Sequence, residues 1–276
     1  MWSPDLSVLR VGLSQRQLSM GRVAWLGWGR VQALEPLACP ASAEGEPAWR
    51  AAVDRLAQWL DGQKASAGAV QIVLSGRLVR WQVLPWREEL SSGDAFAAYA
   101  ALRFRETYGK LAQDWTLLPA NLAPGQAVPV AAVDTALLEA LQAVCQSHAL
   151  RLQGVAAYFS QAFDRWHAAI KGNSFWFATV EPDVLTLGLV KEGQWHALQS
   201  QRIAGDWKSA LPPLLEQMAW ACDVAVTEPP LYLAGAVPAP DGSHLDHAAG
   251  ALPFTWLQPR QAAQQPAQGL RLALGC

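Results

Sequence analysis

Apolar residues recur at every second position in the first part of the chain. The run Val8-Leu9-Arg10-Val11-Gly12-Leu13 is followed by Leu18-Ser19-Met20-Gly21-Arg22-Val23-Ala24-Trp25, and Gly27-Trp28-Gly29 introduces Arg30-Val31-Gln32-Ala33-Leu34. Short runs of this kind, punctuated by glycine, predict an antiparallel meander. The period then lengthens. Trp49, Val53, Leu56, Trp59 and Leu60 share one face of a helix predicted over 47–63, because a 3.6-residue repeat brings those positions together. Strands are predicted over 70–74 and 78–84, around Ser75-Gly76, and a helix over 94–108 with Gly109 placed to end it.

Two more strands, 115–122 and 128–133, flank Ala123-Pro124-Gly125. Asp134 is suited to cap a helix that presents Leu137, Leu141, Val144, Cys145 and His148 on one face. A strand over 152–157 and a helix over 158–170 follow, and then the pattern restarts. Strands at 174–180, 184–190 and 195–203 form a second meander, with Lys191-Glu192-Gly193-Gln194 as a hairpin turn. A helical stretch over 206–222 is expected to be strained or broken at Pro212-Pro213, because proline has no N–H to donate and clashes with the preceding turn. Strands at 231–235 and 254–257 complete the reading. The layout of 7–35 matches that of 174–203, which predicts an internal duplication.

Composition narrows the class. The chain has 276 residues, enough for one large domain or two joined lobes without disulfide staples. Net charge is −2, which argues against binding nucleic acid through its phosphate backbone, since that needs a basic surplus. No apolar run approaches the length of a membrane span, so no direct membrane insertion is expected. Met1-Trp2-Ser3-Pro4-Asp5 lacks the basic flank and apolar stretch of a signal peptide, so the cytosol is the expected compartment. The cysteines, Cys39, Cys145, Cys222 and Cys276, form no ligand-like pair and read as free thiols. Fourteen tryptophans demand burial or an interface, because each ring is large and apolar and carries an N–H that needs a partner.

Familiar catalytic signatures are missing: there is no GxSxG, HExxH, Walker A motif or zinc-type Cys/His spacing. Gly27-Trp28-Gly29 lacks the third glycine of a dinucleotide fingerprint and reads as a turn. His244 and His247 fall in a Pro/Gly/Asp-rich stretch, read as a surface loop, and no metal site is expected. Glu88 and Glu89 read as solvated surface carboxylates.

Meander, helix, strand, an inserted strand–helix unit, helix, then a second meander with helix and strand is the layout of the actin-like superfamily. Within it the chain resembles the PilM-type pilus assembly proteins and the cytoplasmic domain of GspL-type secretion proteins. The resemblance rests on 70–109, with Arg80, Leu84-Pro85 and Tyr108-Gly109; on 185–205, with Arg202-Ile203-Ala204-Gly205; and on Leu231-Tyr232-Leu233-Ala234-Gly235-Ala236 together with the closing segment 269–274. It implies an α/β fold of mixed sheets in two lobes, with duplicated meander-plus-helix units and a small insert. The expected divisions are 1–84 for the first lobe, 85–150 for the insert, 151–173 for a connecting strand and helix, and 174–276 for the second lobe.

Active members of that superfamily hold phosphate and Mg²⁺ with an Asp-x-Gly-type turn in each lobe, where glycine admits the phosphates and aspartate serves the metal. Here the first turn falls at Ser14-Gln15-Arg16 and the second is placed near Thr179-Val180-Glu181, so both aspartates and both glycines are missing. Of the adenosine turn only Gly235 survives. These positions read as a degenerate nucleotide site with no cofactor and no catalytic residue. The resemblance then implies a scaffold on the cytoplasmic side of a pilus-like or secretion-like machine, recruited to the inner membrane by the tail of an assembly protein. Trp81 and Trp86, beside a groove near 78–86, are the candidate anchors, with core packing the expected role of at least one of them, and self-association stays open. Two alternatives remain: an ATP-dependent enzyme of the same superfamily with divergent motifs, and an unrelated small-molecule-binding α/β protein.

Overall fold

The computed structural model describes residues 7–24, 31–63, 68–90, 92–120, 123–247, 250–258 and 271–274. The expected Gly27-Trp28-Gly29 turn and the first residues of the closing segment lie outside them. The first meander forms as its alternation predicts: β1 (Ser7–Leu13), β2 (Gln17–Ala24) and β3 (Val31–Ala33) pair antiparallel, and the short β4 (Leu37–Ala38) also pairs with β2. Helix α1 (Arg50–Asp61) buries Val53, Leu56 and Leu60 and carries the chain to β5 (Gly68–Leu74), which lies parallel to β1.

At Ser75-Gly76 the chain leaves this sheet. The next strand, β6 (Val79–Leu84), belongs to a separate three-stranded sheet in the order β6-β8-β7. Helix α2 (Gly93–Tyr108), whose N-cap Ser92 accepts from Ala95 N–H, covers this sheet together with β7 (Trp115–Pro119) and β8 (Val128–Asp134), around Leu84, Phe96, Phe104 and Val130. Asp134 caps α3 (Thr135–Ser147) by accepting from Ala136 N–H at 3.0 Å. Helix α3 rests on α1 and on β9 (Leu150–Ala157), which returns to the first sheet parallel to β5. The sheets therefore do not divide at the expected positions. By sheet pairing β6 joins β8, although Val79 and Trp81 share the core of the first sheet, and α3 packs on α1 and β9. Strands 70–74 and 78–84 are locally alike, and only their pairing separates them.

Helix α4 (Tyr158–Trp166) leads to the second lobe. There β10 (Phe175–Glu181), β11 (Val184–Lys191) and β12 (Gln194–Arg202) repeat the meander, and α5 (Trp207–Ala221) carries the chain to β13 (Leu231–Gly235), parallel to β10. Then β14 (His244–His247) pairs antiparallel with β15 (Gly250–Trp256), which is parallel to β13. The orders β3-β2-β1-β5-β9 and β12-β11-β10-β13-β15 are the same topology twice. One local expectation fails here, and of strain or a break at the prolines the break does not occur. His244 and His247 lie in strand β14 rather than in a loop. Helix α5 runs unbroken through Pro212 and Pro213. Interior proline costs about 3 kcal/mol, whereas Leu211, Leu214 and Leu215 are fully buried on that helix, each stabilising by about 1.5–3 kcal/mol. Burial outweighs the lost hydrogen bonds.

Strand β10 joins the lobes. Phe175 and Phe177, on one face, enter the core of the first lobe, while Trp176, Ala178 and Val180, on the other, pack on the core beneath α5. Between the sheets, Phe159 on α4 meets Phe177 edge-on with ring centroids 5.3 Å apart, and Phe163 meets Trp195 at 4.9 Å. The short α6 (Arg271–Leu274) closes against β1 and β2.

Candidate functional site

The turn between β1 and β2, Ser14-Gln15-Arg16, faces the turn between β10 and β11 across a cavity of 430 Å³ lined by Ser14, Arg16, Ser19, Glu181, Asp183 and Leu272. Duplicated topology explains the placement, since each turn follows the first strand of its own meander. Ser14 spends its side chain on its own turn: its hydroxyl donates to the Gln17 carbonyl at 2.9 Å and accepts from Gln17 N–H at 3.0 Å. Arg16 is exposed.

The second turn sits two residues later than the sequence reading placed it. Thr179 lies inside β10 opposite Thr186, and Glu181 ends the strand opposite Val184, so the turn itself is Pro182-Asp183. The inference that the cleft holds no aspartate is therefore corrected: Asp183 reaches it, and Glu181 lines it as well. A Pro-Asp pair between two apolar runs was the available signal. The predicted strands 174–180 and 184–190 leave 181–183 between them, and it is the analogy of turns that placed the second turn at 179–181.

Both carboxylates are already engaged. Glu181 is 3% exposed, and one of its oxygens accepts from the backbone N–H of Gly76 at 2.8 Å. The Ser75 hydroxyl supports the same carboxylate. Burial raises the Glu181 pKa to about 7; the Ser75 and Gly76 hydrogen bonds oppose that shift, and the charge of Asp183 adds to it. Asp183 faces the Arg77 guanidinium, with Nε 3.5 Å away, and Arg77 also donates through Nη2 to Gln15 Oε1 at 3.1 Å. The corner Ser75-Gly76-Arg77 of the first lobe thus grips the β10–β11 turn of the second. Gly76 is required by this approach, because a Cβ there would lie 2.7 Å from Thr186 Oγ1 and 3.0 Å from Glu181 Oε1. Sequence reading missed Gly76, Arg77 and Asp183, since the contacts that define them join residues about a hundred positions apart.

Gly235 also serves packing. A Cβ there would meet the Trp256 indole at 2.6 Å, and Trp256 in turn packs against Trp207 with centroids 5.7 Å apart. Of the two expected anchors, Trp81 is 9% exposed and packs edge-on against Phe159 at 5.8 Å. Its anchor role is corrected, because β6 turns that side chain towards the joint between the lobes. Trp86 is half-buried beyond the end of β6. Strand β6 lies close to β12 of the second lobe. Among the described residues no group of three or more His, Cys, Asp or Glu could hold a metal ion, and no helix is long and apolar enough to cross a membrane.

No protein-family model and no curated protein sequence matches the chain. Solved structures do. A protein of Bacteroides thetaiotaomicron with an actin-like ATPase fold and unknown function matches with a TM-score of 0.62 at 13% identity, covering 99% of this chain and 97% of that one. The cytoplasmic domain of EpsL, an inner-membrane component of the type II secretion system of Vibrio cholerae, matches with a TM-score of 0.59 at 12% identity, over 98% of this chain and 95% of that one. A PilM–PilN type IV pilus biogenesis complex matches with a TM-score of 0.55 at 15% identity, over 83% and 81%. With its lobes duplicated, a small insert in the first and a cleft between their leading turns, the chain has the actin-like fold.

Proposed function

We propose that this chain is a non-catalytic scaffold on the cytoplasmic side of a pilus-like or secretion-like envelope machine, docking the tail of an inner-membrane assembly protein. The observation that carries the reading is the hydrogen bond from Gly76 N–H to Glu181. A buried backbone donor of the first lobe and a buried carboxylate that lines the cleft from the second are spent on each other. Arg77 holds the second carboxylate, Asp183, and Trp256 fills the space over Gly235. A cleft braced by the protein's own groups favours a fold kept for its surface. The architecture shared with the EpsL cytoplasmic domain and with PilM agrees with that use.

Trp86, with Pro85 exposed beside it, is the anchor this reading retains. Extended tails dock by placing apolar side chains in pockets beside a sheet. The test is a pull-down with cytoplasmic tails of the inner-membrane proteins encoded beside this one, repeated with Trp86→Ala. Capture by at least one tail, weakened by the substitution, is expected. Failure of every tail contradicts the reading, and capture untouched by Trp86→Ala moves the groove elsewhere.

A second reading, an ATP-dependent enzyme with divergent motifs, is favoured by one observation: Asp183 stands at the cavity, where a carboxylate could serve hydrated Mg²⁺. It requires Asp183 to exchange Arg77 for the metal. Binding of Mg·ATP separates the two readings.

A further inference from the structure

Three arginines converge where the first lobe, the insert and the second lobe meet. Arg77 stands at the corner after β5 and is only 16% exposed. Arg80, at the start of β6, donates through Nη1 to the carbonyls of Arg77 and Val79 at 3.1 and 3.2 Å. Arg202, at the end of β12, is opposite Val184 in the ladder and so adjoins Asp183, the ion-pair partner of Arg77. Arg202 is exposed and makes no ion pair among the described residues.

The charge there is unbalanced. Asp183 is ion-paired with Arg77, Glu181 is buried with its proton held up to about pH 7, and no described carboxylate forms an ion pair with Arg80 or Arg202. Burial, and next the neighbouring Arg202, lower the pKa of both Arg77 and Arg80. Guanidiniums that repel one another in a half-buried setting call for a counter-charge. The Arg77 Nε is buried without an aligned hydrogen-bond acceptor. All this occurs in a chain of net charge −2, so the surplus is local.

We infer that the Arg77–Arg80–Arg202 seam is a docking site for an acidic polypeptide segment, whose carboxylates are received by the three guanidiniums. Planar guanidinium forks match carboxylates in a two-point geometry. Arg202 is exposed, whereas the Arg77 side chain is only 16% exposed. At an exposed guanidinium a single small anion competes poorly with water and salt, whereas linked carboxylates gain from each further contact. The residues are distinct from Trp86, so the inference stands apart from tail docking at that position.

The test is fluorescence anisotropy of a labelled hexaglutamate peptide against the whole chain, at low and at physiological salt. Wild type is expected to bind, more weakly as salt rises. Arg202→Glu is expected to weaken binding by about tenfold or more, as loss of a charged hydrogen bond implies. Its thermal midpoint should stay unchanged, because the side chain is exposed. No binding by wild type at low salt overturns the inference, and so does equal binding by Arg202→Glu. Displacement of the peptide by inorganic phosphate at matched ionic strength also overturns it, by showing a site for a free anion.

Discussion

The Glu181 carboxylate of the second lobe accepts a hydrogen bond from the Gly76 backbone N–H of the first at 2.8 Å, while 3% exposed to solvent. Its proton affinity is consequently a property of how the lobes meet. The folded pKa, about 7, lies above the ordinary 4.5. The folded state therefore holds a proton that the unfolded state has released, and stability falls as pH rises between those values. The contribution is fully present below about pH 4.5 and is lost once pH passes about 7. A shift of this size corresponds to a change on the order of 3 kcal/mol. Denaturant midpoints measured across that range should decline in wild type, and Glu181→Gln should remove most of the decline. An equal slope in both proteins contradicts the assignment.

Gly76→Ala forces a methyl group to within 2.7 Å of Thr186 Oγ1. Overpacking of that kind costs about 1–3 kcal/mol. Denaturation of Gly76→Ala, Thr186→Ala and the double variant should show coupling, because contacting sites are not additive. Strict additivity contradicts the contact between lobes.

The tryptophans separate into packing and surface. Trp81→Ala should cost about 3–5 kcal/mol, as loss of a buried aromatic does, because it removes the ring that meets Phe159. Trp220, 87% exposed on α5, should change stability by about 0.5 kcal/mol or less when replaced by alanine. Thermal denaturation of the two variants checks the contrast.

Much of this architecture was readable in order. The two meanders, the helices after them and the strands β5 and β13 follow from apolar periods of two and 3.6, which are local properties. Sheet membership is not local, which is why 78–84 is assigned with 70–74 to the first lobe although β6 pairs with β8. Proline at 212 and 213 argued for a break that burial of Leu211, Leu214 and Leu215 overrides. At the site, Ser14, Arg16, Thr179, Glu181 and Gly235 are expected at the cleft by analogy of turns; Ser14, Arg16 and Glu181 line the cavity, whereas Thr179 lies inside β10 and Gly235 packs against Trp256. Asp183 was missed by a shift of two residues. Gly76 and Arg77 carried no pattern, because their role exists only once the second lobe lies against them.

The central claim is that the cleft is braced by Gly76, Glu181, Arg77 and Asp183 instead of by nucleotide and metal. Thermal unfolding with and without millimolar Mg·ATP tests it most directly, since a ligand of the native state at a hundredfold excess over its Kd adds about 2.7 kcal/mol. The account predicts an unchanged midpoint in wild type. A reproducible rise that EDTA abolishes contradicts it.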